Sequence, residues 1–530
     1  MKRVIKDLAN TVCISQDIEL SEHNALTTCT DFQFRDIQRY NGAVQVFENG
    51  HLKNSALPTQ TKITKWIKKT GTKRWQCECD SKNVEIFVKA APILNPIGFL
   101  KNDFELPENS FLPTHFPFWK ETMERINSQN NQAYVDLVCA FVVSRFRELD
   151  LMPHFPLFYG SASAIATSYK YNLTDEFESY RNRKWFWRGV DEHGASLEMS
   201  PHDDDLVDIV LSCPFTKDEL EKEDSEVTSE LSSIASDLVG SVKDELEEVE
   251  SLSDVLSEGV SGGSSEDSDV ETEEPEYDIF IKIPNLPVAL IYQEAHDGTM
   301  DSLLDEEELD GCKHGSKAWE QKWIAWLWQV VAALAFLQRT IGFTHNDLHT
   351  NNIVWRKTKK QYLYYKTHKG TIWRIPTYGK IFAVIDFGRA IFHLENKKWL
   401  SNDFLPGEDA HGQYNFGPIY DKDCPKIAPN YSFDLCRLAI SMIDGLYPED
   451  KPDSMLFKLL WSWTLDDEGN TVYEDLEGEE RYSGFKLYMA IASDCHNAVP
   501  REQLEKEIFD KFKVEDKSSI PKGSKIYHVV

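Results

Sequence analysis

Positive charge is scarce in this chain of 530 residues: 57 Lys and Arg stand against 88 Asp and Glu, a net charge of −31. The deficit is concentrated. From Thr216 to Asp278 there are 23 acids and three lysines, so about −20 of the total lies in one stretch that is also rich in Ser and Gly. Such a composition cannot bury enough apolar surface to offset chain entropy, and a solvated, disordered insertion is expected there. It also argues against direct contact with a nucleic-acid backbone, because like charges repel. Metal-spaced cysteines are missing too: the ten Cys form no Cys-x-x-Cys, and Cys77 and Cys79 alternate in a strand pattern that puts both on one face. Long apolar runs are absent. The best, Ile324 to Leu337, is interrupted by Gln329 and falls short of the roughly 20 residues that span a bilayer. Met1-Lys2-Arg3 is basic, but no apolar signal core follows it. These features lead us to expect a reducing, cytoplasmic environment, no membrane and free thiols.

What is present is one dense run of reactive side chains. His345-Asn346-Asp347-Leu348-His349-Thr350-Asn351-Asn352 is followed, 34 residues after Asn352, by Asp386-Phe387-Gly388. A broad apolar helix pattern precedes the first motif: Trp319, Trp323, Trp326, Leu327, Val330, Val331, Leu334 and Leu337 recur at three- and four-residue steps, predicting a core helix from about Ser316 to Arg339. The apolar run Ile381 to Ile385 precedes the second and reads as a buried strand.

The two motifs, in this order and each behind the expected element, resemble the catalytic segments of the protein-kinase-like superfamily. More narrowly, Phe343 to Asn352, the Tyr-rich Gln361 to Tyr378 and Ile381 to Ala390 resemble the uncharacterised kinase-like proteins of large DNA viruses. The resemblance covers about residues 60 to 500 with an interruption. It implies an α+β, bilobal protein-kinase-like fold: a small, mainly β N-lobe and a larger, mainly α C-lobe, with the acidic stretch as a disordered insertion. The expected divisions are an N-terminal extension (1–59), the first part of the N-lobe (60–215), the insertion (216–278), the last N-lobe strand and hinge (279–300) and the C-lobe (301–530). A chain of this length is used up by two lobes and insertions.

ATP and Mg²⁺ are the implied cofactors, and Asp347, Asn352, Lys89 and Asp386 the implied catalytic set. Phosphoryl transfer needs positioning and charge neutralisation more than covalent chemistry. Asp347 would receive or orient the hydroxyl proton of the acceptor. Asn352 and Asp386 would offer the oxygen ligands that Mg²⁺ prefers. Lys89 ends the alternating strand pattern Val84 to Ala90 and would hold the nucleotide phosphates. The helix pattern Ala133 to Leu149 offers Asp136 as the acid paired with Lys89, with Glu124 as a rival. Lys69 to Lys73 would be the phosphate-covering turn, where Gly71 alone matches the expected glycines. Backbone groups from Gln293 to Ala295, at the end of a buried-strand run, would bind adenine, with Tyr292 at the back of the pocket. Asp434 would brace the catalytic loop.

Departures from the family pattern matter. Asn346 replaces the arginine that grips an activation-loop phosphate, and an amide cannot form that charge-assisted pair. His349 replaces a lysine usual in Ser/Thr kinases, and Asn-Asp-Leu-His is similar to kinases of small molecules. No Ala-Pro-Glu follows; Ile427-Ala428-Pro429-Asn430 is nearest. The expected activity is phosphotransfer to a hydroxyl acceptor, foremost protein Ser or Thr. The alternatives are a small-molecule kinase, a pseudokinase scaffold recruiting partners through the insertion, and a zinc hydrolase built on His345, Asp347 and His349. Within the insertion, Leu231, Ile234, Leu238, Val242, Leu246, Val249, Leu252 and Leu256 follow helical steps that a protein partner could order. Ser264, Ser265 and Ser268 stand among acids, as targets of acid-directed kinases do. Asp494-Cys495-His496 is expected to be structural.

Overall fold

The computed structural model describes residues 2–6, 16–17, 33–38, 55–56, 61, 63–105, 112–113, 121–174, 176–201, 211–220, 277–304, 306, 308–405, 408–414, 429–448, 451–475, 478–482 and 484–529. The protein is a mixed α+β structure. Its internal contacts divide it into two compact units, one formed by Leu100–Asp103 with Ser168–Pro284 and the other by the rest.

In the larger unit, six strands form one antiparallel sheet: β1 (Phe34–Gln38), β2 (Ile63–Gly71), β3 (Arg74–Cys79), β4 (Lys82–Pro92), β5 (Phe158–Ala166) and β6 (Leu286–Glu294), in the order β1-β5-β6-β4-β3-β2. The alternation predicted for Arg74–Cys79 holds: Trp75, Cys77 and Cys79 are buried while the residues between them are half-buried. β6 is buried along nearly its whole length, as a central strand should be. β1, from the expected N-terminal extension, closes one edge by pairing with β5.

Helix α1 (Gln132–Glu148) starts where Asn131 caps the Ala133 amide at 3.1 Å, and it packs on β5 and β6. Helix α2 (Lys317–Ile341) is the predicted core helix. Ser316 caps it through the Trp319 amide, and Gly342 ends it at φ 59°, a left-handed stop that glycine adopts without a Cβ penalty. α2 is long and apolar enough to cross a membrane, but 83% of its most apolar 18-residue window is buried in the protein. Trp319, Trp323, Trp326 and Trp328 lie fully in the core, and truncating any of them to Ala would cost roughly 3–5 kcal/mol.

Two further strands, β7 (Ile353–Lys357) and β10 (Lys380–Val384), pair antiparallel with Ile353 opposite Val384. Between them the Tyr-rich segment folds as a hairpin of β8 (Tyr362–Lys366) and β9 (Ile372–Pro376), and β8 pairs in parallel with β11 (Ile526–His528). Helices α3 (Phe433–Leu446), α4 (Met455–Trp463) and α5 (Phe485–Asp494) complete the unit, with α4 and α5 packed on α3.

In the smaller unit, strands Tyr169–Asn172, Ser196–Pro201 and Tyr277–Ile283 form an antiparallel sheet with the last strand in the middle, accompanied by the helix Lys184–Glu192. Of the insertion expected over 216–278, residues 221–276 with the helical apolar pattern lie outside the described residues, as do Ile427 and Ala428, while its ends are ordered, Lys217–Leu220 as a helical turn and Tyr277 and Asp278 in a strand.

Candidate functional site

The pairing of β7 with β10 gathers the two sequence motifs. The residue before one strand and the residue after the other must share one end of the pair, and the Ile385 amide donates to Asn352 O at 3.0 Å. The His345 Nε2 group donates to Ile385 O at 2.8 Å, a second tie between the motifs. The Phe387 ring packs against Phe343 and His345, with centroids 6.1 and 5.8 Å apart. Two residues here hold left-handed backbone without being glycine: Asn346 at φ 65° and Asp386 at φ 64°. Such conformations cost energy and persist where the surroundings enforce them.

Lys89, on β4 opposite Ile291, extends its amine to two carboxylates, 2.6 Å from Asp136 Oδ2 and 2.7 Å from Asp386 Oδ1. Glu124, the rival acid, is exposed on the short helix Glu121–Asn127 and is not the partner. Asp136 is only 1% exposed, and its other oxygen accepts the Phe387 amide at 2.9 Å. Burial would drive the Lys89 proton off, but Asp136 and Asp386 hold the amine charged. Burial likewise disfavours the charged Asp386, yet Lys89 outweighs it and brings that carboxyl down to about 2. Asp136 is pushed up by burial, with Lys89 opposing. One cation thus holds two acids from a helix and a post-strand loop.

Asp434, at the start of α3, is buried and accepts three times: from the His345 amide through both oxygens and from the Asn346 amide, each at 3.0 Å. The Asn346 side chain donates to Arg389 O at 2.8 Å and accepts the Tyr414 hydroxyl at 2.9 Å. Gln413 donates to Asn346 O at 3.1 Å. At Asn346 the loop is fastened by neutral hydrogen bonds from Tyr414 and Gln413 and to Arg389 O, beside those to Asp434.

Asp347 keeps 26% of its side chain exposed. The Tyr488 hydroxyl on α5 donates to its Oδ1 at 2.7 Å, and Arg389 Nη1 lies 3.6 Å from Oδ2, outside hydrogen-bond reach. Oδ2 therefore has an ion-pair partner but no hydrogen bond among the described residues. Burial would raise the Asp347 pKa, but the charge of Arg389, then His349 and the Tyr488 hydrogen bond, bring it below the ordinary value. Burial lowers the His349 pKa, with Asp347 opposing, and its Nε2 accepts from Asn352 Nδ2 at 3.0 Å. The same Nδ2 donates to Asp347 O at 2.9 Å, which fixes the amide so that Oδ1 makes no hydrogen bond among the described residues. Asn352 Oδ1 and Asp386 Oδ2 are hard, uncommitted oxygens, the donor type that suits Mg²⁺.

Three features bear on the nucleotide and metal readings. The turn joining β2 and β3 is a two-residue hairpin, Thr72-Lys73; Gly71 sits in the strand opposite Arg74, and Lys73 O accepts the Val88 amide at 2.8 Å. The Ala295 amide is not open to a base, because it donates to Glu85 O at 3.2 Å, while the Glu294 amide donates to Leu157 O at 2.9 Å. Gln293 instead pairs with Phe87, on the sheet face of Lys89, and its buried Nε2 has no hydrogen-bond partner among the described residues. Third, no group of three or more His, Cys, Asp or Glu among the described residues is arranged to hold a metal, so His345, Asp347 and His349 form no zinc site.

Tyr488, Arg389 and Arg437 were not singled out by sequence reasoning, which had no local pattern to find them by. Asp494-Cys495-His496 is structural in its contacts: Cys495 is buried, and His496 pairs with Asp467 at 2.8 Å. Searched against known families and curated proteins, the chain matches no family model and no curated sequence.

Proposed function

We propose that this protein is an ATP- and Mg-dependent phosphotransferase of the protein-kinase-like fold, acting foremost on protein Ser or Thr. In this reading the six-stranded sheet with α1 is the small lobe, and α2 to α5 with the β7–β10 segment are the large one. The observation that carries the proposal is Lys89 held between Asp136 and Asp386, at one end of the strand pair that also presents Asn352 and, five residues before it, Asp347.

The roles follow from the contacts. Lys89, kept charged, neutralises nucleotide phosphates. Asp386 and Asn352 would hold Mg²⁺ through their free oxygens, and the ion would supply charge neutralisation on the phosphates. Asp347, ionised and partly open, accepts the hydroxyl proton of the acceptor through Oδ2. Asp434 and Asn352 hold the loop that aims it. The orphaned amide of Gln293 is the natural contact for the base.

A nucleotide-binding scaffold without turnover is the second reading, favoured by the short Thr72-Lys73 turn and the occupied Ala295 amide. Titration with ATP and Mg²⁺, followed by incubation with labelled ATP, separates the two. We expect Mg-dependent binding that Lys89→Met weakens, and label on protein. Label confined to small molecules would move the acceptor class. Binding without any transfer would establish the scaffold, and no binding would sink both.

A further inference from the structure

Beside Asp347 stands a cation with no carboxylate at ion-pair distance among the described residues, although Asp347 and Asp444 act on its charge from farther away. Arg437 lies on α3, three residues after Asp434 and therefore on the same side of the helix. Its Nε donates to the Tyr488 hydroxyl at 3.1 Å, and that hydroxyl in turn donates to Asp347 Oδ1 at 2.7 Å. Arg437 is thus no more than two hydrogen bonds from the proposed base. No carboxylate lies within ion-pair distance of it among the described residues, and its Nη groups make no hydrogen bond there. Arg389 makes the contrast plain: its Nε is taken by Asp403 at 2.8 Å and its Nη1 faces Asp347 at 3.6 Å. A half-buried guanidinium that lies over the Tyr488 ring at 5.4 Å, with Nη groups that make no hydrogen bond among the described residues, can still present its planar edge to a carboxylate or phosphate.

Resting on the phosphotransferase reading, we propose that Arg437, oriented by Tyr488, is a specificity-determining residue that selects a Ser or Thr hydroxyl followed closely by acidic side chains. Successive residues of an extended peptide advance about 3.3–3.6 Å, and the two hydrogen bonds through Tyr488 (3.1 and 2.7 Å) bound the separation of Arg437 Nε from Asp347 Oδ1, so an acid one to three positions from a hydroxyl at Asp347 can reach it. The net charge of −31 does not oppose this. Screening confines exposed charges to about 8 Å at physiological salt, so the nearby guanidinium, rather than the distant acids, sets the local field. The chain itself carries the matching sequence: Gly263-Ser264-Ser265-Glu266-Asp267-Ser268-Asp269.

The test uses three peptides with the full-length protein, ATP and Mg²⁺: one copying residues 262–270, one with its acids replaced by Asn and Gln, and one with them replaced by Arg. We expect kcat/KM for the acidic peptide to exceed the neutral one by about tenfold, with the gap shrinking in 0.5 M salt, roughly three-fold the ionic strength at which the Debye length is about 8 Å. Arg437→Gln should bring that ratio close to one, while Arg437→Lys should keep much of it, and an unchanged thermal shift with ATP and Mg²⁺ reports that both variants fold. A wild-type ratio near one, a preference for the Arg peptide, or a ratio that Arg437→Gln leaves intact overturns the selectivity while leaving phosphotransfer standing. Nucleotide binding with no transfer to any peptide overturns the protein-kinase reading, and the selectivity falls with it.

Discussion

The Phe387 amide donates to Asp136 Oδ1 at 2.9 Å across 251 residues of chain, while the other oxygen of that carboxylate holds Lys89. One buried acid on α1 thereby sets both the lysine and the backbone that presents Asp386. Asp136→Ala should lower kcat by about 10²-fold and destabilise the fold by ~3–5 kcal/mol, the usual penalty for breaking a buried pair from one side. Asp136→Asn, which can still accept from Phe387, should lose less stability but a similar share of kcat. Urea denaturation beside steady-state kinetics checks both.

Tyr488 and Arg389 together keep the Asp347 pKa low, against burial. Removing the hydroxyl in Tyr488→Phe should let that pKa rise, so the acid limb of the pH–rate profile moves to higher pH and kcat falls near its lower end. The sign for stability is the same. A depressed carboxyl stabilises the fold above its unfolded pKa and loses that contribution as pH falls through the folded value, so the variant should lose the acid-sensitive part. An acid limb unmoved by Tyr488→Phe would contradict this.

Burial pushes the Asp403 carboxyl up to about 6, with Arg389 opposing and Asp409 adding to the rise. As pH falls through about 6, Asp403 becomes neutral and loosens its hold on Arg389, whose charge then bears more fully on Asp347. Activity should therefore drop across that range, and Asp403→Asn should remove the step. For stability the sign is opposite: a raised carboxyl favours the folded state most below its unfolded value and loses that contribution as pH rises through about 6.

Asp434 satisfies the His345 and Asn346 amides in a site without water contact. Asp434→Ala leaves two buried donors unpaired and should cost about 2–6 kcal/mol, at roughly 1–3 kcal/mol per orphaned group. Hydrogen exchange should locate the loosening at residues 344–347.

Neutral bonds from Tyr414 and Gln413 to Asn346 do the fastening that a phosphate and an arginine would do elsewhere. Phosphatase treatment should leave activity intact, whereas Tyr414→Phe should lower it several-fold. Activity abolished by the phosphatase, with one site in residues 389–430 accounting for the loss, would overturn this.

Periodic and local features were readable from the chain alone. The helix expected over Ser316 to Arg339 forms as Lys317–Ile341, because its apolar stripe, serine cap and terminal glycine agree. The strand carrying Lys89 and the helix carrying Asp136 likewise show their periods. The residues around Asp347 were hidden for the opposite reason. Tyr488 meets Asp347 across 141 residues, and Arg437 gains meaning only where α3 and α5 converge. The Ala295 amide was misjudged because its fate depends on how far β4 extends: Glu85, near the start of that strand, reaches it. Strand ends are where pattern alone decides least.

The central claim is that Asp347 takes the acceptor proton in a site where Lys89, Asp386 and Asn352 hold the nucleotide. Its most direct test is transfer of label from γ-labelled ATP with Mg²⁺ by wild type and by Asp347→Asn at equal nucleotide occupancy. We predict Mg-dependent labelling of protein by the wild type, and a loss of at least about 10²-fold in Asp347→Asn with ATP affinity unchanged. Equal labelling by both proteins, or none by either despite bound nucleotide, would contradict it.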